Sequence, residues 1–260
     1  MKIPIFQVDA FSGQIFSGNP AAVCPLEAWL DDRLLQGIAL ENNLSETAFF
    51  VLEEKGRYHI RWFTPAAEVD LCGHATLASA FVILNYFDKS ANCVIFRSRS
   101  GLLTVAREGE LYAMDFPSQP PSTCETPEAL VQGLGKEPIE ILRSEDYLVL
   151  FSSEKEIREL NPDMRMLLQL DQRGIIVTAE GNDVDFVSRF FAPRFGVNED
   201  PVTGSAHCAL TPYWAKKLGK KDLIARQISK RGGELFCKDQ GDRVVIAGKA
   251  VLYMEGHIKI

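Results

Sequence analysis

FTPAAEVDLCGHATLASAF (Phe63–Phe81) and FAPRFGVNEDPVTGSAHCALTPYW (Phe191–Trp214) are two versions of one segment. Phe63 matches Phe191 and Pro65 matches Pro193, both at an offset of 128 residues. After a three-residue insertion the offset becomes 131, and Gly73 matches Gly204, Ala75 matches Ala206, Ser98 matches Ser229 and Gly101 matches Gly232. Each copy reads as a strand, a Phe-x-Pro loop, a Gly-x-Ala helix start, a helix, and a Ser-basic-x-Gly turn into a hairpin. A shared order of unlike elements, held across one insertion, points to duplication of an ancestral half. No short-period solenoid repeat is present.

Outward from these copies the chain alternates apolar and polar residues, as half-buried strands do. The alternation covers Ile3–Phe11, Thr47–Leu52, Tyr58–Thr64, Leu102–Arg107, Leu111–Phe116, Val184–Phe190 and Val244–Met254. Hairpin turns fall at Glu54-Lys55-Gly56, Glu108-Gly109-Glu110 and Gln240-Gly241-Asp242. Helical spacing marks Leu30–Asn42, Ala75–Phe87, Pro127–Leu134 and Ala206–Leu218. The expected class is α+β: two pseudo-symmetric halves, each a curled antiparallel β-sheet, barrel-like, around a central helix. Ser118–Glu125 is polar and Pro-rich and reads as the linker. The halves are therefore 1–117 and 118–260, with the final strand free to return to the N-terminal half.

With 28 basic and 35 acidic residues the net charge is −7, and no basic cluster interrupts it. Nucleic acid and anionic membrane are poor partners for such a chain. The apolar run Ala75–Phe87 is too short to span a bilayer, and no targeting segment is visible, so the cytoplasm is the expected compartment. The six cysteines are scattered without a C-x-x-C pair and read as reduced thiols.

Duplication makes a cleft between the halves the natural ligand site. Each Gly-x-Ala opens a helix whose first N–H groups lack partners and carry partial positive charge, a setting suited to a carboxylate. Gly73 and Gly204 let a ligand approach the backbone closely. The next residues, His74 and Ser205, differ between copies and suit proton handling and substrate orientation; a capping histidine and a plain helix-start serine are the structural alternatives. Asp200, before a proline, reads either as a turn residue or as a proton acceptor, and its rough counterpart Asp70 as structural. Glu46, beside Ala48-Phe49-Phe50-Val51, is either a desolvated base or a solvated strand-start residue. The loop Phe16–Cys24 packs Gly18, Asn19 and Pro20 into a turn that either contacts ligand or is plain surface. No GxGxxG follows a strand and no GxxxxGK[ST] occurs. Cys72 and His74 with His207 and Cys208 match no usual zinc spacing, so no metal site is expected.

The segments QVDAFSGQIFSGNPAAVC, NNLSETAFF, RWFTPAAEVDLCGHATLASA and FGVNEDPVTGSAH carry a likeness. The chain resembles the PhzF-like (phenazine biosynthesis) isomerase family of the diaminopimelate epimerase-like superfamily. The resemblance implies Glu46 as catalytic acid/base, His74, Asp200 and Ser205 as the positioning and proton-handling set, and Asn19, Gly73, Thr203 and Gly204 as substrate-binding. It further implies no cofactor, a homodimer, and a proton shift on a small carboxylate of the kind that isomerises trans-2,3-dihydro-3-hydroxyanthranilate. Racemases of this superfamily place one cysteine on each wall. Here Cys72 fits the first position but Thr203 precedes Gly204 at the second, and threonine supplies no thiolate. An amino-acid racemase using Cys72, and a non-catalytic binding protein, stand as the alternatives.

Overall fold

The computed structural model describes residues 1–260. The chain divides into two compact units, Met1–Asp115 with Ala247–Ile260, and Phe116–Ile246.

The first unit contains β1 (Lys2–Ala10), β2 (Asn19–Leu26), α1 (Asp32–Asn42), β3 (Glu46–Glu54), β4 (Arg57–Phe63), β5 (Glu68–Val69), α2 (Gly73–Val82), β6 (Cys93–Ser98), β7 (Gly101–Glu108) and most of β8 (Leu111–Pro117). The closing strand Ala250–Lys259 pairs antiparallel with β1, which pairs antiparallel with β2. From there β2 runs parallel to β3, β3 antiparallel to β4, β4 parallel to β6, and β6 antiparallel to β7. The second unit contains β9 (Ser122–Thr123), α3 (Glu128–Leu134), β10 (Glu140–Arg143), β11 (Tyr147–Leu150), α4 (Glu154–Glu159), α5 (Met164–Leu167), β12 (Ile175–Glu180), β13 (Phe186–Ala192), β14 (Val197–Asp200), α6 (His207–Leu218), β15 (Asp222–Gln227), β16 (Gly233–Asp239) and most of β17 (Arg243–Gly248).

In the second unit β11 runs parallel to β12, β12 antiparallel to β13, β13 parallel to β15, and β15 antiparallel to β16. This is the order and sense of β2, β3, β4, β6 and β7. Register does not carry over: Tyr58 lies opposite Phe96, whereas its counterpart Phe186 lies opposite Ala225 rather than Gln227, the counterpart of Phe96. Parallel neighbours need a long crossover; α1 lies in that of β2–β3 and α2 in that of β4–β6, and α4 with α5 and then α6 do the same for β11–β12 and β13–β15. The chain thus adopts the α+β architecture read from the repeat. The parallel pairs make each sheet mixed rather than wholly antiparallel.

Both faces of the sheets are covered, which explains why some strands show no alternation. In β3, Ala48, Phe49 and Phe50 are all buried. Phe49 packs with Phe63 beneath Leu35, Ile38 and Ala39 of α1, while the Phe50 ring meets Tyr58. In the second unit Phe191, Val149 and Val177 are covered by Leu130 of α3, Ile157 of α4 and Leu167 of α5.

Several local expectations change. Of the loop expected over Phe16–Cys24, the part from Asn19 on belongs to strand β2; the strand tolerates its two prolines, and five of its residues besides Asn19 are buried. The bend itself precedes it at Gly18, whose φ is +70° and whose hypothetical Cβ would lie 2.2 Å from the Ala10 carbonyl oxygen, so only glycine fits. The alternating run Val244–Met254 is two strands, broken after Gly248. The expected helix Ala75–Phe87 ends as α-helix at Val82 and continues as a π turn, Ile83–Phe87, closed by Asp88 N–H donating to Ile83 O at 2.8 Å. Pro212 sits inside α6 and lacks an N–H, and the Cys208 carbonyl instead accepts from Gln119 N at 2.9 Å.

Candidate functional site

In the first unit, the folding of two sequence-distant segments brings Glu46, Cys72 and His74 together. Glu46 is the first residue of β3, opposite Ala21 of β2. It follows Asn43, whose left-handed φ of 49° ends α1 and turns the chain into the strand. Cys72 is the N-cap of α2, and Gly73 and His74 are the first two helical residues. Thr76 fixes this helix start: its N–H and its hydroxyl both donate to Cys72 O, at 3.1 and 2.6 Å.

His74 Nε2 lies 3.1 Å from Glu46 Oε2, with 7% and 18% of the two side chains exposed. Neither atom is part of an aligned hydrogen bond, so the contact is an ion pair rather than a directional bond. On the other side of the ring, Nδ1 lies 3.5 Å from Cys72 Sγ. Burial works against charge on His74, but the Cys72 sulfur and the Glu46 carboxylate outweigh it, and the imidazole titrates well above its ordinary value. Burial, then the Glu46 charge, pushes the Cys72 thiol up to about 11. At neutral pH the sulfur is therefore a thiol, and the Glu46 carboxylate remains the charge that favours a protonated ring. Asn19 is buried at the start of β2, opposite Ala10. Asp70 caps nothing; its side chain is 76% exposed, 3.8 Å from Arg99.

In the second unit, Asp200 ends β14 and faces Phe190 of β13. Its carboxylate accepts a short hydrogen bond from the Thr203 hydroxyl. Gln227 of β15, fully buried, braces the same loop. Its amide nitrogen donates to Asp200 O at 2.8 Å, and its oxygen accepts from Thr203 N at 2.8 Å. Ser229 ties the loop once more through Pro201 O at 2.7 Å. Thr203 thus serves the loop's internal bonding. Gly204 and Ser205 fall in a turn ahead of α6, with His207 N donating to Gly204 O and Cys208 N to Ser205 O, both at 3.0 Å. Helix α6 therefore starts at His207, whereas Gly73 is already helical in α2.

Ser205 has a partner that the sequence does not announce. Arg173 Nη2 donates to its hydroxyl at 3.1 Å while the guanidinium forks onto Asp146 at 3.0 and 2.6 Å. Asp146 is 2% exposed, and burial raises its pKa against the pull of Arg173. With Arg173 occupying a lone pair of Ser205, the serine's own proton is free to donate elsewhere. His207, two residues on, is a structural histidine. Its ring accepts no charge: burial depresses it to about 4, and Nδ1–H donates to Thr203 O at 2.9 Å. Arg173, Asp146 and Gln227 were missed because they stand outside any motif; only a buried-acid reading of Asp146 in the run Ser144-Glu145-Asp146-Tyr147-Leu148 could have hinted at the pair.

The α+β fold of this chain recurs in proteins of known structure. A hydroxyproline epimerase of Agrobacterium vitis shares that fold at 10% identity, with a TM-score of 0.65 over 99% of this chain and 92% of that one. Residues 8–256 match the family model described as phenazine biosynthesis-like protein, and the chain belongs to that family. An uncharacterized isomerase of Pseudomonas aeruginosa is 55% identical over 260 residues, covering the whole of both chains. The crystal structure of a phenazine biosynthesis protein, PhzF family, from Enterococcus faecalis superposes with a TM-score of 0.97 at 46% identity, again covering both chains entirely. No helix of the structure is long and apolar enough to cross a membrane.

Proposed function

We propose that this chain is a cofactor-independent isomerase that moves a proton on a small carboxylate-bearing substrate, with Glu46 as the acid/base. The observation that supports it is the buried Glu46–His74 contact at 3.1 Å, in a chain of an isomerase family. A carboxylate acting as acid/base must be held in place, and the buried His74 ring stands 3.1 Å from it. Glu46 removes a proton from a carbon next to a double bond. The C–H electron pair becomes the shifted double bond, and the proton returns from Glu46 at the far carbon, so no oxidant or reductant is needed. Cys72, pushed up to about 11, holds little thiolate at neutral pH, which is why glutamate rather than cysteine is assigned.

Gly73, His74 and Asn19 on one side, and Asp200, Thr203, Gly204 and Ser205 from the other copy of the repeat, are assigned to holding the substrate. Ser205 enters as a donor because Arg173 fills its acceptor side. The dihydro-hydroxyanthranilate type of reaction, the cytoplasmic setting and the homodimer belong to this proposal and rest on the family resemblance. Glu46→Gln is expected to lower turnover by about 10²–10⁴-fold with far-UV circular dichroism unchanged. The assay is a panel of unsaturated carboxylic acids in deuterated water, scored for exchange. Wild-type exchange rates in the folded variant would take Glu46 out of the mechanism.

A further inference from the structure

We propose that Glu46, Cys72 and His74 form a binding site for a thiophilic divalent cation, zinc above all. One donor atom from each residue lies within 4.8 Å of the other two: a carboxylate oxygen, a sulfur and an imidazole nitrogen. That mixture suits zinc, which takes sulfur, nitrogen and oxygen together, while magnesium and calcium prefer oxygen alone. The spacing fits as well. A tetrahedral ion with bonds of about 2.3 Å to sulfur and about 2.05 Å to nitrogen separates those atoms by about 3.5 Å. Cys72 Sγ and His74 Nδ1 stand 3.5 Å apart.

Burial supplies an independent indication. Cys72 is 7% and His74 6% exposed, and both residues sit at the rigid start of α2. Glu46 Oε2 and His74 Nε2 are enclosed and close, yet neither completes a hydrogen bond. An ion among the three donor atoms would take the place of the His74 ring as the partner of the Glu46 oxygen. Three protein ligands leave a fourth position open, the pattern of accessible rather than closed zinc sites.

Binding is a simple exchange. The cation forms a bond to the Cys72 sulfur, and the thiol proton leaves to buffer. An imidazole nitrogen that carried a proton gives it up likewise, and nothing is oxidised. An ion held this way occupies the atoms assigned to proton transfer, so zinc also inhibits; that second consequence rests on the proposed role of Glu46, whereas binding does not.

The test uses the full chain and binding readouts. Cobalt(II) is titrated in and followed by its sulfur-to-metal charge-transfer absorption, and zinc by equilibrium dialysis with millimolar magnesium present. The expectation is one ion per chain and a charge-transfer band that Cys72→Ser abolishes. Zinc affinity should fall about 10-fold or more in Cys72→Ser and in Glu46→Gln. Cys93→Ser, which alters an exposed cysteine elsewhere in the same unit, should leave both unchanged. A band surviving in Cys72→Ser, or one lost in Cys93→Ser, would overturn the proposal. Zinc bound through the three residues without slowing turnover would uphold the site and count against Glu46 as the base instead.

Discussion

His74 and His207 lie near the starts of the two matching helices, both buried, and their protonation is driven in opposite directions. His74 has a carboxylate at 3.1 Å and a sulfur at 3.5 Å, and its pKa is raised. His207 has a backbone carbonyl and the Phe186 ring, 5.8 Å away, and is depressed to about 4. Equal burial therefore does not set the charge; what stands opposite each nitrogen does. The comparison extends to whole units. The same strand order carries a cluster of ionisable side chains in one and a hydrogen-bonded frame in the other. Gln227 braces that frame, and at the position matching it by the 131-residue offset the first unit has Phe96. The duplicated scaffold kept its topology while its loop ends took different chemistry.

The largest effect should come from the element the two units share. Phe63 and Phe191 occupy matching positions, each buried under the outer helices of its own unit. Phe63→Ala and Phe191→Ala should each cost about 3–5 kcal/mol in urea unfolding. A loss confined to one of them would show that the repeat in sequence is not a repeat in packing.

Next come the histidines. The folded pKa of His207 lies below the unfolded value, so unfolded chains take up a proton below about 6.5 that folded chains refuse until about 4. Stability should fall by about 3 kcal/mol across that window, and His207→Gln should flatten the fall. His74 has the reverse sign: its raised pKa stabilises the fold below its ordinary value, and that share is lost as pH rises through the folded pKa. Histidine titrations by NMR that coincide for the two rings would remove the contrast.

The smallest effect is expected at Gln227. Gln227→Ala leaves Thr203 N–H and Asp200 O without their buried partner, at about 1–3 kcal/mol. No measurable change would mean that water replaces the brace.

The repeat, the α+β class, the long helices and the hairpin turns follow from residue spacing alone, because periodicity and turn chemistry are local. So does the likeness that singles out Glu46, His74, Asp200 and Ser205, since each sits in a contiguous motif. Strand β2 did not follow, because a strand buried on both faces shows no alternation, and Gly18 ahead of it with Pro20 inside it imitates a loop. The π turn after Val82 did not follow either, since an apolar run continues through it. The contacts that give the site its chemistry were decided by tertiary structure alone. Glu46 meets His74 across 28 positions of chain and Arg173 meets Ser205 across 32. Pairing at such separations depends on how strands and helix starts pack, and no local pattern of residues encodes it.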